Sequence, residues 1–261
     1  MSDHLSNVVP RVEVRDICKS FGPNLVLRSI SLAVRSGEKA VIIGPSGGGK
    51  STLLRCINLL ITPDAGSVQI NGIRIGYRDA KGRWIQVPDS HINHVRSRMP
   101  MVFQRFNLFQ NRTVLGNVIE AQLIVLKRSK LEAETKAVEV LKKVGLLHKL
   151  RSFPANLSGG ELQRAGIARA LAMDPEIILF DEPTSSLDPE RVGEVLDIIQ
   201  QLAAEGMTMI VVTHEMDFAR RTADRIYFVR DGQVFESGSP DQLFSSPLRP
   251  ETRSFISAVL R

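Results

Sequence analysis

Lys50, Ser51 and the glycines just ahead of them are spaced for work on phosphate. Gly44-Pro45-Ser46-Gly47-Gly48-Gly49-Lys50-Ser51-Thr52 meets the pattern G-x-x-x-x-G-K-[S/T] at every required position. Glycine has no Cβ, so this backbone can curl until successive N–H groups converge on one anion. Lys50 then reaches the β and γ phosphates of a nucleotide, expected to be ATP, and the Ser51 hydroxyl can ligate Mg²⁺.

Other chemistry-bearing residues follow short apolar runs. Asp181 comes after Ile177-Ile178-Leu179-Phe180 and is expected to hold Mg²⁺ through water, which offsets the cost of burying a lone carboxylate. Glu182, one residue on, can accept a hydrogen bond from an attacking water and act as general base. His214 follows the run from Met209 to Thr213 and is placed to contact a γ phosphate. Gln104 follows Met101-Val102-Phe103 and can offer its side-chain oxygen to Mg²⁺ or to the water. A parallel sheet presents its ligands at the carboxyl ends of its strands, where all four of these residues are predicted to stand. Phe21, beside Gly22 and Pro23, either stacks on an adenine ring or tucks onto the core; the sequence leaves both readings open.

Leu157-Ser158-Gly159-Gly160-Glu161 stands just before a predicted helix. Ser158 is a good N-cap, and the glycines let a phosphate approach the helix N-terminus closely. This is a second anion cradle in one chain. One nucleotide needs a single cradle, so the second is expected to serve a nucleotide held by another copy of the protein.

The elements that must position these groups are legible from periodicity. Lys39 to Ile43 reads as a buried parallel strand feeding the glycine loop, and Ser51 to Leu60 as a helix with Leu53, Leu54, Ile57 and Leu60 on one face. Val12 to Val34 alternates as an antiparallel layer. Asn71-Gly72 and Asp231-Gly232 mark hairpins. Gly76 to Pro88, with the single tryptophan Trp84, reads as a polar surface insertion. From Thr113 to Leu150 the pattern is helical, with Leu131, Val138, Leu141 and Val144 predicted on one face, the best candidate for a separate lobe. Alternating strands and helices then resume: a helix over 161–173, the strand ending at Asp181, a helix over 189–205 and the strand ending at His214.

Composition narrows the class. A chain of 261 residues with 43% hydrophobic content can bury an ample core as one lobed domain or as two. Its two cysteines, Cys18 and Cys56, are far apart, and are expected to be reduced, buried thiols of a cytosolic protein. Met1 to Arg11 carries no secretory pattern, and no run of about 18 apolar residues occurs, so no membrane span is expected. The net charge of +6 includes a basic stretch between Arg74 and Arg112, read as a solvated face.

These motifs, in this order, resemble those of the ATP-binding subunits of ATP-binding-cassette (ABC) transporters. Gly44 to Thr52 matches that family's Walker A motif, Gln104 its Q-loop glutamine, Leu157 to Arg164 its signature, and Ile177 to Glu182 its Walker B strand and catalytic glutamate. Ser185-Ser186-Leu187-Asp188 matches the D-loop, with Asp188 counted among the nucleotide-site residues, and His214 the switch histidine. The resemblance implies an α/β phosphate-loop core with a mostly parallel sheet, an antiparallel β layer and an inserted helical subdomain. It further implies one ABC ATPase domain over 1–261: a core of 1–104 and 166–245, a helical subdomain of 105–165 and a tail of 246–261. Also implied are a head-to-tail homodimer sandwiching two ATP molecules, two membrane-spanning permease subunits, and indirectly a periplasmic-type solute-binding protein. Its place would be the cytoplasmic face of the inner membrane, with no nucleic acid as partner.

Met101 to Phe109, Thr113 to Val118 and Thr213 to Ala219 are most similar to polar amino acid importers, and Asp79 to Arg83 resembles the histidine permease and opine branch. Glu161, Leu162, Gly166 and Ser186 depart from the usual pattern, and none of them removes a catalytic group. Two other classes compete: a soluble ABC ATPase acting on nucleic acid, which the positive charge would suit, and an ordinary phosphate-loop kinase or GTPase, for which the second cradle has no use.

Overall fold

The computed structural model describes residues 9–79 and 81–259. In chain order the strands are β1 (Val12–Phe21), β2 (Asn24–Val34), β3 (Lys39–Ile43), β4 (Ala65–Ile70), β5 (Ile73–Arg78), β6 (Trp84–Gln86), β7 (Met101–Val102), β8 (Ile177–Asp181), β9 (Thr208–Val212), β10 (Arg225–Arg230) and β11 (Gln233–Gly238). The α-helices are α1 (Lys50–Ile57), α2 (Asp89–Arg98), α3 (Val114–Ile124), α4 (Lys130–Lys143), α5 (Gly159–Leu171), α6 (Pro189–Ala204), α7 (Met216–Thr222), α8 (Pro240–Ser245) and α9 (Pro250–Val259). Contacts divide the chain into two compact units: residues up to Asn93 with those from Ala223 onward, and His94–Thr222.

The first unit carries an antiparallel layer in the order β2-β1-β4-β5-β6. Val12 pairs with Val34 on one side and Ile70 on the other, and Val14 with Leu32 and Val68, all buried. The alternation from Val12 to Val34 is therefore one apolar face meeting the core. The segment predicted as a polar surface insertion extends this layer: Tyr77 pairs with Ile85 across a turn organised by Asp79. Asp79 Oδ1 accepts from the amides of Lys81 and Arg83, at 2.9 and 2.8 Å. A side chain that caps its own turn lets a polar segment pair as strands without a buried run.

In the same unit β3 runs parallel to β10, and β11 returns antiparallel to β10. Ala40 to Ile43 are all buried, as expected of a parallel strand covered on both faces. The tail folds back as α8 and α9. Glu236, 7% exposed, accepts from the amides of Leu248 and Arg249, and Phe255 of α9 stacks on Phe228 with centroids 5.1 Å apart.

The second unit holds β7, β8 and β9 in parallel register, Met101 beside Leu179 and Ile178 beside Met209. Helices α3, α4 and α5 pack together in it. The predicted face of α4 needs correction: Leu131 and Val138 are 75% and 40% exposed, and the buried positions are Ala133, Ala137, Val140, Leu141 and then Val144. These positions keep helical spacing, but two are alanines, whose small size hid the true face. Likewise α1 ends at Ile57, and Leu60 is 48% exposed.

Candidate nucleotide site

In the first unit β3 delivers the chain into the glycine loop. Gly44 has φ +144°, and a Cβ there would lie 1.9 Å from the Val229 carbonyl oxygen. Gly47, at φ +78°, faces open space; its requirement is conformational alone. Lys50 is 4% exposed, and its ammonium donates to the Gly44 and Pro45 carbonyls, each at 2.9 Å. The Gly232 amide donates to the Gly48 carbonyl at 3.3 Å, so the β10–β11 turn braces the loop from outside. Gly49 is left-handed and no side chain caps α1. The helix N-terminus therefore presents its N–H groups and positive dipole end beside Ser51 and Thr52, which fits a nucleotide phosphate. Phe21 ends β1 with 47% of its surface exposed.

In the second unit Asp181 closes β8 and is 2% exposed. Glu182 has φ +48°, an uncommon conformation for a residue with a side chain. Its amide donates to the Val212 carbonyl at 2.9 Å, which holds that backbone against β9. His214 Nε2 stands 3.0 Å from Glu182 Oε1, and the Ser185 hydroxyl donates to Glu182 Oε2 at 2.9 Å. Both carboxylate oxygens are thereby oriented. Thr184 donates to Glu215 at 3.2 Å and secures the turn that carries Ser185. Gln104 is exposed, two residues beyond the end of β7. Asp188 is the N-cap of α6, and its side chain makes no capping hydrogen bond.

The second cradle is built as a full capping box in this same unit. The Glu161 amide donates to Ser158 Oγ, while Glu161 Oε2 accepts from the Ser158 amide at 2.8 Å. α5 thus begins at Gly159, two residues ahead of the predicted start. Burial would raise the Glu161 carboxyl, but the Ser158 amide and the Lys149 ammonium, 3.2 Å away, hold it below the usual range. Arg191 from α6 donates to Ser158 Oγ at 2.8 Å, and its stem lies where a Cβ on Gly160 would meet it at 3.4 Å.

Cys56 is buried and its thiol is pushed up to about 12, chiefly by desolvation; Cys18, expected to be buried as well, is half-buried and accepts from the Ser29 amide at 3.2 Å. Sequence reasoning placed Ser185 in a motif without seeing that it holds Glu182. The signal was a serine three residues after an acid in a turn. Nothing in the sequence marked Arg191.

Residues 27–185 match the family model described as ABC transporter. The chain belongs to the ABC transporter family. This ABC protein is 48% identical over 263 residues to the histidine/lysine/arginine/ornithine transport ATP-binding protein HisP of Escherichia coli, covering 100% of both chains. It is 51% identical over 249 residues to the L-cystine transport system ATP-binding protein TcyN of the same organism, covering 95% of this chain and 98% of the relative. Among solved structures it is similar to the dimeric, post-hydrolysis ATP-binding cassette MJ0796 bound to ADP and Pi, with a TM-score of 0.76 and 33% identity over 88% of this chain and 98% of that one. Its full-length likeness is to ATP-binding subunits, and no helix among the described residues is long and apolar enough to cross a membrane.

Proposed function

We propose that this chain hydrolyses ATP to drive an ABC importer of polar amino acids, working as a head-to-tail homodimer on the cytoplasmic face of the inner membrane beside two permease subunits. A periplasmic-type binding protein would deliver the solute, and the likeness to HisP and to the nopaline permease ATP-binding protein P of Agrobacterium fabrum favours basic amino acids or opines among its substrates. The observation that carries this reading is a phosphate loop and a capped Ser158-Gly159-Gly160 cradle in one chain. An enzyme that encloses its nucleotide within a single chain has no use for the second.

In this reading the N–H groups from Gly44 to Thr52 and the Lys50 ammonium bind the triphosphate, and Phe21 carries the base. Ser158, Gly159, Gly160 and Asp188 serve the nucleotide of the other copy. Glu182 takes a proton from the attacking water, oriented by Ser185 and His214, and His214 also faces the developing γ-phosphate charge. Ser51, Asp181 and Gln104 are the proposed Mg²⁺ ligands. A buried carboxylate with few other protein donors suits that ion, which keeps waters and phosphate oxygens in its shell, and no group of three His, Cys, Asp or Glu residues forms a fuller cage among the described residues. When bound, Mg²⁺ neutralises charge on the β and γ oxygens.

The test is sedimentation of the Glu182→Gln variant with ATP. It should form a stable dimer that Ser158→Ala prevents. A Glu182→Gln protein that stays monomeric at saturating ATP refutes the sandwich.

A further inference from the structure

We infer that Asp64 is a positioning residue for the nucleotide base: it sets the aromatic platform of Phe21. This rests on the proposed role of Phe21 as the surface that carries the base.

β1 does not run regularly to its end. Its register against β2 shifts between Ile17 and Lys19 and again between Lys19 and Ser20, just ahead of Phe21. Such irregularities re-aim the side chains that follow, and they need an anchor to stay in one arrangement. Asp64 supplies it. One carboxylate oxygen accepts from the Ser20 amide at 2.6 Å, and the other takes the Lys19 ammonium at 2.9 Å. The Asp64 amide donates to the Cys18 carbonyl at 2.8 Å. Three consecutive residues before Phe21 are thus held by one aspartate.

Lys19 passes the arrangement on to the ring. Its ammonium lies 5.5 Å from the Phe21 centroid, within cation–π range, and its side chain is only 16% exposed. That charge occupies one face of the phenyl ring, which leaves the opposite face for a flat, π-rich ligand. Asp64 also follows α1, the helix that opens with Lys50, by a few residues. The approach of β1 to Phe21 is therefore set by one side chain before a nucleotide arrives. Preorganisation of this kind raises affinity by removing the ordering cost from binding.

The experiment compares ATP with inorganic triphosphate, which has no base, by calorimetry on the intact chain. Phe21→Ala and Asp64→Ala should each weaken ATP binding about five- to tenfold, within the range of a lost base–aromatic stack, and leave triphosphate binding within about twofold. Asp64→Asn, which keeps an acceptor for the Ser20 amide, should lose less. The Phe21→Ala/Asp64→Ala double variant should bind ATP no more weakly than Phe21→Ala alone. Additive losses, equal loss of triphosphate binding, or an Asp64→Ala protein that binds ATP as wild type would each overturn the inference. Phe21→Ala binding ATP unchanged would instead overturn the platform reading itself.

Discussion

Glu182 and His214 face each other at 3.0 Å, with the carboxylate's other oxygen taken by Ser185 at 2.9 Å. A general base works only if its lone pair is aimed before the water arrives. Glu182→Gln should keep ATP binding and lower turnover by about a hundredfold or more, the range for loss of a positioned base. Ser185→Ala, which frees one oxygen, should lower kcat by roughly three- to tenfold with KM little changed, since only orientation is lost. Steady-state phosphate release decides both; a Ser185→Ala enzyme that instead loses ATP affinity would place that hydroxyl on the nucleotide.

Gly44 is the least substitutable residue of the loop. A methyl group there would meet the Val229 carbonyl oxygen at 1.9 Å, and φ is +144°. Gly44→Ala should cost at least about 2 kcal/mol, because strain and overpacking act together, and should abolish nucleotide binding. Gly47→Ala has open space for its methyl group and only the φ of +78° against it. It should lose about 1 kcal/mol. Urea unfolding of the pair measures the difference, and equal losses would show that φ alone governs this loop.

Much of this site was legible because its chemistry imposes spacing. Gly44 to Thr52, Ser158 to Gly160 and Asp181-Glu182 are local patterns in which one element's end supplies the whole motif, so a linear reading finds them. The buried face of α4 was misread because Ala133 and Ala137 give a weaker periodic signal than exposed Leu131 and Val138. The β5–β6 hairpin was missed because Asp79, not a hydrophobic run, closes it. Arg191 and Ser158 are 33 positions apart, and Asp64 and Ser20 are 44 apart. No periodicity connects pairs like these; only folding does.

Acid should weaken the second cradle's helix. Burial raises the Glu161 carboxyl, but the Ser158 amide and Lys149 outweigh it, so the folded value lies below the unfolded one. A group depressed in this way contributes stability that is fully present above its unfolded value, about 4.3, and is lost as pH falls through the folded one. Glu161→Gln should therefore lose about 0.5–1 kcal/mol at pH 7, the scale of a cap and a partly screened ion pair, and lose less than wild type between pH 7 and pH 3. Urea midpoints at the two pH values measure this; parallel acid limbs would contradict it.

Cys56 should be silent toward thiol reagents in the native protein. Its pKa of about 12 keeps it protonated at pH 8, and the buried sulfur is shielded as well. Ellman's reagent should titrate no more than one thiol before unfolding and both in denaturant. Rapid native modification of Cys56, located by peptide mapping, would mean that α1 opens far more readily than its packing allows.

Gly232 is clasped on two sides: its amide reaches Gly48, its carbonyl accepts from the Arg28 amide at 2.7 Å, and a Cβ on it would strike the Val26 carbonyl oxygen at 2.2 Å. No reporter tag, new chain terminus or extra residue can be spliced between Arg230 and Gln233 without prying apart the very loop that must receive the triphosphate.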